Sequence, residues 1–241
     1  MLNDPHYYRV AHILYSLRRN IEELRSYYIG LKIIASNPED LHPRYFPSIC
    51  AYRDDNENRI NFRYIKPLES DPTCVTFHAK TISCTPKDVV VKFVYHYGVE
   101  AHRLLASKSL APQLWYHGKV GIQEGDPSYG HLRMVVMEYI DGETLDRVKE
   151  IPQMIKEEIR RALDILHNEG HVFGDLRRPN VMITKNKEVK LIDFDWAGVH
   201  MKSQYPLLIS PNLKWPAGVE ALSLMKKEHD DIMLEQLLLA Q

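Results

Sequence analysis

Between residues 45 and 95 the apolar residues recur at every second position, and beyond residue 141 they recur at helical intervals. A chain whose period changes once segregates its strands from its helices, which predicts an α+β fold rather than alternating βαβ units. The period-two part contains Ser48–Tyr52, Ile60–Ile65, Cys74–Ala79 and Val89–Val94. Turn formers separate these runs: Arg53–Asn58, Glu69-Ser70-Asp71-Pro72 and Thr85-Pro86-Lys87-Asp88. Four short strands joined in this way predict an antiparallel meander. A short helix at 98–108 and two further strands, Lys119–Ile122 and Met134–Ile140, complete the sheet-rich part.

After Asp141-Gly142 the pattern is helical. Pro152 opens a helix carrying Ile155, Ile159, Leu163 and Leu166, and Gly170 ends it. A hairpin follows, Val181–Ile183 and Val189–Ile192 around Lys185-Asn186-Lys187. A proline-punctuated loop covers 199–217, and a last helix is expected at 218–239. At the other end, residues 6–35 read as one helix. Val10, Leu14, Leu17, Ile21, Leu24, Tyr28 and Leu31 alternate in steps of four and three. Such a stripe packs either on its own domain or against a second copy, giving a homodimer through residues 6–35. The expected organisation is therefore a helical extension at 1–44, a sheet-rich part at 45–140 and a reduced helical part at 141–241.

Charge narrows the function classes. Lys and Arg number 31 against 32 Asp and Glu, a formal net charge of −1. A near-neutral chain offers no overall electrostatic case for nucleic acid or an anionic membrane, so neither is expected as a partner. The three cysteines are widely spaced, with no C-x-x-C pair, which argues against a structural zinc site or a disulfide framework. The N-terminal residues lack the basic-then-apolar pattern of a secretion signal, and no apolar run is long enough to span a bilayer. A cytoplasmic or nuclear protein is the expectation.

The chemistry concentrates in Phe173-Gly174-Asp175-Leu176-Arg177-Arg178-Pro179-Asn180 and in Leu191-Ile192-Asp193-Phe194-Asp195. Asn180 precedes the hairpin and Asp193 follows it, and a hairpin returns its ends close together. Asp175, Asn180 and Asp193 are thereby brought to one point. An Asp and an Asn oxygen at the two ends of a hairpin suit Mg²⁺, a hard ion that takes few carboxylates and keeps positions for water and phosphate. A further carboxylate beside it can orient a hydroxyl and accept its proton. These are the parts of a phosphoryl-transfer site.

Here the sequence resembles the protein kinase-like superfamily, most of all short, divergent kinase-like proteins of fungal type. Asp175-Leu176-x-x-x-Asn180 is similar to the catalytic loop H-R-D-L-x-x-x-N, and Asp193-Phe194 to the start of D-F-G. Gly174-Asp175 also looks like the H-G-D form of small-molecule kinases. Val89-Val90-Val91-Lys92 resembles V-A-I-K, and Met137-Glu138-Tyr139-Ile140 resembles the hinge. The resemblance implies a two-lobed fold with an antiparallel-sheet N-lobe and a reduced helical C-lobe. It implies ATP and Mg²⁺ as cofactors and a hydroxyl-bearing acceptor, protein Ser/Thr or small molecule. Asp175 becomes the catalytic aspartate, Asn180 and Asp193 the metal ligands, and Lys92 the phosphate-binding lysine, paired with Glu100. Backbone groups of Glu138 and Ile140 are expected to meet adenine, with Met137 at the back of the pocket. Arg177 and Arg178 read as contacts to the transferred phosphate or an activation-loop partner, or as a solvated loop.

The departures are specific. The segment Lys66–Thr73, where a Gly-rich loop would lie, contains no glycine, Phe173 stands in place of histidine, and Asp195 replaces the glycine of D-F-G. The chain after Asp193 is too short for the full set of late helices that forms a peptide-docking platform. A pseudokinase or nucleotide-binding interaction module is the alternative reading. His229-Asp230-Asp231 on the last helix reads either as a brace beneath the catalytic loop or as a solvated acidic face.

Overall fold

The computed structural model describes residues 5–30, 46–69, 75–121 and 130–239. Contacts divide the chain into two compact units, Met1–Tyr45 and Phe46–Gln241. In the first, helix α1 spans Pro5–Gly30. Val10, Leu14, Leu17, Ile21, Leu24 and Tyr28 are all exposed on it. Ion pairs one turn apart, Arg18–Glu22 at 3.0 Å and Arg19–Glu23 at 2.9 Å, decorate its flank. Residues 31–35, and with them Leu31 of the stripe, lie outside the described residues.

The second unit is α+β. Its strands are β1 (Ala51–Arg53), β2 (Arg59–Pro67), β3 (Thr76–Thr81), β4 (Asp88–Val94), β5 (Leu114–Lys119) and β6 (Arg133–Glu138), forming one six-stranded sheet in the order β1-β2-β3-β4-β6-β5. Every pairing in it is antiparallel. The first four strands meander as their alternation predicts. The chain then leaves through helix α2 (Val99–Ser107), and β6 returns to lie against β4. This makes β4 a central strand, covered on both faces, which explains its nearly unbroken valine run. Phe62, Phe77, Val89, Val91, Phe93, Met134 and Val136 form the sheet's own apolar cluster.

The larger apolar cluster centres on α3 (Gln153–Asn168), whose Ile155, Ile159, Leu163 and Leu166 are buried as their spacing requires. Around it lie β7 (Gly142–Thr144), β8 (His171–Val172), β9 (Val181–Thr184), β10 (Val189–Leu191), β11 (Gly198–Val199) and α4 (Lys227–Leu239). The predicted hairpin is β9–β10, with Leu191 opposite Val181.

Two boundaries differ from expectation. The strand expected at 119–122 instead occupies Leu114–Lys119, because the amphipathic run Leu114-Trp115-Tyr116 supplies the pairing with β6, and Ile122 lies outside the described residues. The last helix begins at Lys227 rather than 218, because Gly218 and Leu222 adopt positive φ (86° and 61°), which a helix cannot contain. No helix among the described residues is long and apolar enough to cross a membrane.

Candidate active site

Lys92 sits in the middle of β4, opposite Thr76 on β3 and Val135 on β6, and only 7% of it is exposed. A buried ammonium is costly unless paired. It meets two carboxylates from the segment after β10: Asp193 Oδ1 at 2.7 Å and Asp195 Oδ1 at 2.8 Å. Burial disfavours the charged lysine, but the two carboxylates outweigh it and raise its pKa. Burial likewise works against Asp193, and Lys92 more than compensates, holding that carboxyl below its usual range. Asp195 receives less help. Burial and the neighbouring Asp193 push it up to about 7. Asp193 itself has φ +66°, a left-handed conformation that a non-glycine residue keeps only when its surroundings impose it.

Asp175 lies in the loop between β8 and β9 and is buried. Arg177 grips both of its carboxylate oxygens, through Nε at 2.5 Å and a terminal nitrogen at 2.7 Å. Asn180 donates Nδ2 to Asp175 Oδ2 and to the Asp175 carbonyl, both at 2.9 Å. Burial raises the Asp175 pKa, with Arg177 opposing, so this carboxyl is a better proton acceptor than a solvated one. From α4 the Asp230 side chain, 0% exposed, accepts the backbone N–H groups of Phe173 at 2.7 Å and Gly174 at 2.8 Å. Asp230 is therefore the brace, not part of a solvated face. Gly174 has φ +82°, a backbone conformation that strains any L side chain, and a Cβ there would also have to displace the terminal methyl of Met225, so glycine is favoured directly before Asp175.

The sequence profile of the family described as lipopolysaccharide core biosynthesis protein (WaaY) matches residues 126–204, the stretch holding Asp175, Asn180 and Asp193. The lipopolysaccharide core heptose(II) kinase WaaY of Escherichia coli is 40% identical over 63 residues, 26% of this chain and 27% of that protein. The serine/threonine-protein kinase PknB of Mycolicibacterium smegmatis is 35% identical over 81 residues, 30% of this chain and 13% of PknB. The longer match is to the serine/threonine-protein kinase PAK 5 of Rattus norvegicus, 26% identical over 148 residues, 58% of this chain and 20% of PAK 5. These matches support membership of the protein kinase-like superfamily. The chain spans about a quarter or less of the length of these curated relatives.

In this kinase-like chain, Lys92, Met137, Glu138, Ile140, Asn180 and Asp193 all line one cleft of about 530 Å³, together with Leu68 and Glu69 from the glycine-free segment. Residues 70–73 of that segment lie outside the described residues. Phe173 fills the place of the kinase histidine by packing edge-to-face on Phe194 (5.3 Å, 89°), which stacks on His102 of α2 (4.5 Å, 3°). His102 donates Nε2–H to the Pro112 carbonyl and accepts the Tyr97 hydroxyl at Nδ1, each at 2.8 Å. Burial lowers its pKa to about 4.

One predicted pairing is corrected. Glu100 is exposed in the first turn of α2 and is not among the ion-pair partners of Lys92. Only Tyr95–Gly98 connect β4 to α2, so Glu100, the second residue of the helix, lies at its exposed start and not over the lysine. Asp195 occupies that role. The sequence signal for it was the carboxylate in the glycine position of D-F-G. Arg177 as the holder of Asp175 had no comparable signal.

Proposed function

We propose that the chain is an ATP- and Mg²⁺-dependent phosphotransferase that moves the γ-phosphoryl group of ATP to a hydroxyl. The observation that carries this reading is the convergence of a buried lysine, an asparagine and an aspartate on one cleft, beside a second aspartate of raised pKa. In this reading residues 45–140 and 141–241 act as two lobes around the cleft, with 1–44 as an extension.

Each residue has a task. Lys92, fixed by Asp195, holds the α- and β-phosphates. Backbone groups of Glu138 and Ile140 meet the adenine ring, and Met137 limits the depth of the pocket. The donor set fits a hard divalent ion: Asp193 offers carboxylate oxygens, and the Asn180 side chain uses only Nδ2 in hydrogen bonds among the described residues, leaving its Oδ1 available. When bound there, Mg²⁺ would offset negative charge on the phosphates. Asp175 orients the acceptor hydroxyl and takes its proton. Arg177 keeps that carboxylate aimed.

The acceptor class follows less directly. A relative named as a heptose kinase supports a sugar-like or other small-molecule hydroxyl, and relatives named as serine/threonine kinases support a protein hydroxyl. The pseudokinase reading draws on the glycine-free Lys66–Thr73 segment, since glycines let backbone approach phosphates. A thermal-shift titration with ATP separates the two. A shift that needs Mg²⁺, joined by acceptor-stimulated ADP release, supports catalysis. Metal-independent binding without turnover supports the pseudokinase.

For α1 the proposed partner is a second copy, because its apolar stripe is exposed along its length. Sedimentation of the chain with and without residues 1–35 tests this. An unchanged dimer after the deletion refutes it.

A further inference from the structure

A second cavity, of about 510 Å³, adjoins the cleft at Pro179, which lines both, and Arg177, Arg178, Lys214, Trp215, Met233 and Leu237 contribute to its wall. Its size is that of a small-molecule site. Among the described residues no carboxylate side chain lines it. The Arg178 Nε is buried and has no hydrogen-bond partner among the described residues, which a native structure rarely leaves unexplained. Arg177 has its charge balanced by Asp175, while its guanidinium also lies over the Trp215 ring at 5.9 Å. Trp215 is itself fixed, stacked on Trp196 at 5.2 Å and donating its indole N–H to the Ser210 carbonyl at 2.9 Å. The wall thus combines an immobilised aromatic face, apolar side chains from α4 and two cationic groups that lack a partner in the wall.

We infer that this cavity is the acceptor site and that the acceptor is a small phosphomonoester carrying a free hydroxyl on an apolar or planar body. Arg178 and Lys214 supply two positive charges, matching a group of about −1.5 to −2 at neutral pH. Arg178 brings a guanidinium fork suited to phosphate oxygens, and Trp215 carries the body of the molecule. The inference rests on the phosphotransferase reading for its chemistry. The acceptor hydroxyl oxygen bonds to the γ-phosphorus of ATP, the bond from that phosphorus to the β–γ bridging oxygen breaks, ADP leaves, and the hydroxyl proton passes to Asp175. Arg177 spans the two functions, touching Asp175 on one side and the Trp215 ring on the other.

The test is calorimetric binding of phenyl phosphate to the full chain, with benzyl alcohol and inorganic phosphate as controls. Phenyl phosphate should bind, benzyl alcohol should not, and inorganic phosphate should bind more weakly. Arg178→Gln should weaken phenyl phosphate about tenfold or more, since a charged hydrogen-bond partner is lost, and Lys214→Met should weaken it by less. Both variants should melt like the parent and keep its ATP-induced shift. Equal affinity in Arg178→Gln, or no binding to the parent, overturns the inference. Loss of binding in Lys92→Met with none in Arg178→Gln also overturns it, because the phosphate then sits in the nucleotide cleft. Phenyl phosphate binding that depends on Arg178 in a chain that binds no ATP would leave the cavity standing and remove the phosphotransferase reading instead.

Discussion

Two segments meet at the site and are held in opposite ways. The loop Phe173–Asn180 is fixed from beneath by a fully buried carboxylate, Asp230, that accepts backbone N–H groups, and from within by Arg177 and Asn180 on Asp175. The segment Asp193–Asp195 is held by side-chain charge: one ammonium shared by two carboxylates, with Phe194 resting on His102. Backbone anchoring leaves the first segment no alternative position. Charge sharing leaves the second with one carboxylate in excess, which is why Asp195 is pushed up to about 7 by burial and by Asp193. Under the proposed function, Asp175 would be aimed before any ligand arrives, whereas Lys92 and Asp193 would exchange partners when one binds.

The strongest way to break this contrast is to remove the anchor. Asp230→Ala strands two buried backbone donors, and a loss of about 3–5 kcal/mol in urea unfolding is expected, with turnover abolished. A loss near zero would mean the loop holds itself. Lys92→Met acts on the other segment and keeps most of the stem volume. It removes one partner only and leaves the Asp193 and Asp195 carboxylates without their cation, so stability should fall by a few kcal/mol, about 3–5 at most, and phosphoryl transfer by about 10²–10³-fold. Turnover at the parent rate would take the lysine out of the site.

Spacing along the chain made much of this visible. Asp175, Asn180 and Asp193 flank a short hairpin, so local geometry alone brings them together, and a lone lysine in a valine-rich strand announced a buried charge needing a partner. Which partner was not legible. Lys92 and Asp195 belong to different elements far apart in sequence, and only the short β4–α2 connection decides between Asp195 and Glu100. The boundary of α4 was hidden for a related reason: residues 218–226 carry helix-compatible side chains, but Leu222 is held at positive φ, which periodicity does not reveal. The α1 stripe marks the opposite limit, since a heptad pattern identifies a helix without saying what covers it.

His102 gives a third, smaller probe of the charge-held segment. Its pKa is lowered from 6.5 to about 4, by burial first and Arg103 second, while the Pro112 carbonyl opposes. A depressed histidine favours the folded state above its unfolded pKa, and that stability is lost as pH falls from about 6.5 toward 4. The expected loss is about 2–3 kcal/mol across that window, read as the difference in urea midpoint between parent and His102→Asn. A pH dependence identical in both would remove His102 as its source.

The smallest effects decide who fixes Lys92. In a double-mutant cycle read on ATP turnover, Asp195→Asn and Lys92→Met should be less than additive by about 1 kcal/mol, as expected for groups in direct contact. Asp195 is 2.8 Å from the ammonium, so removing either partner already abolishes most of what the other contributes. Glu100→Gln with Lys92→Met should be additive within about 0.3–0.5 kcal/mol, because an exposed carboxylate outside the lysine's ion pairs shares nothing with it. Glu100→Gln alone should leave the rate close to the parent's. The reverse pattern, coupling to Glu100 and additivity with Asp195, would mean that the working enzyme moves α2 toward β4 and that the shared-charge arrangement belongs to the ligand-free chain only.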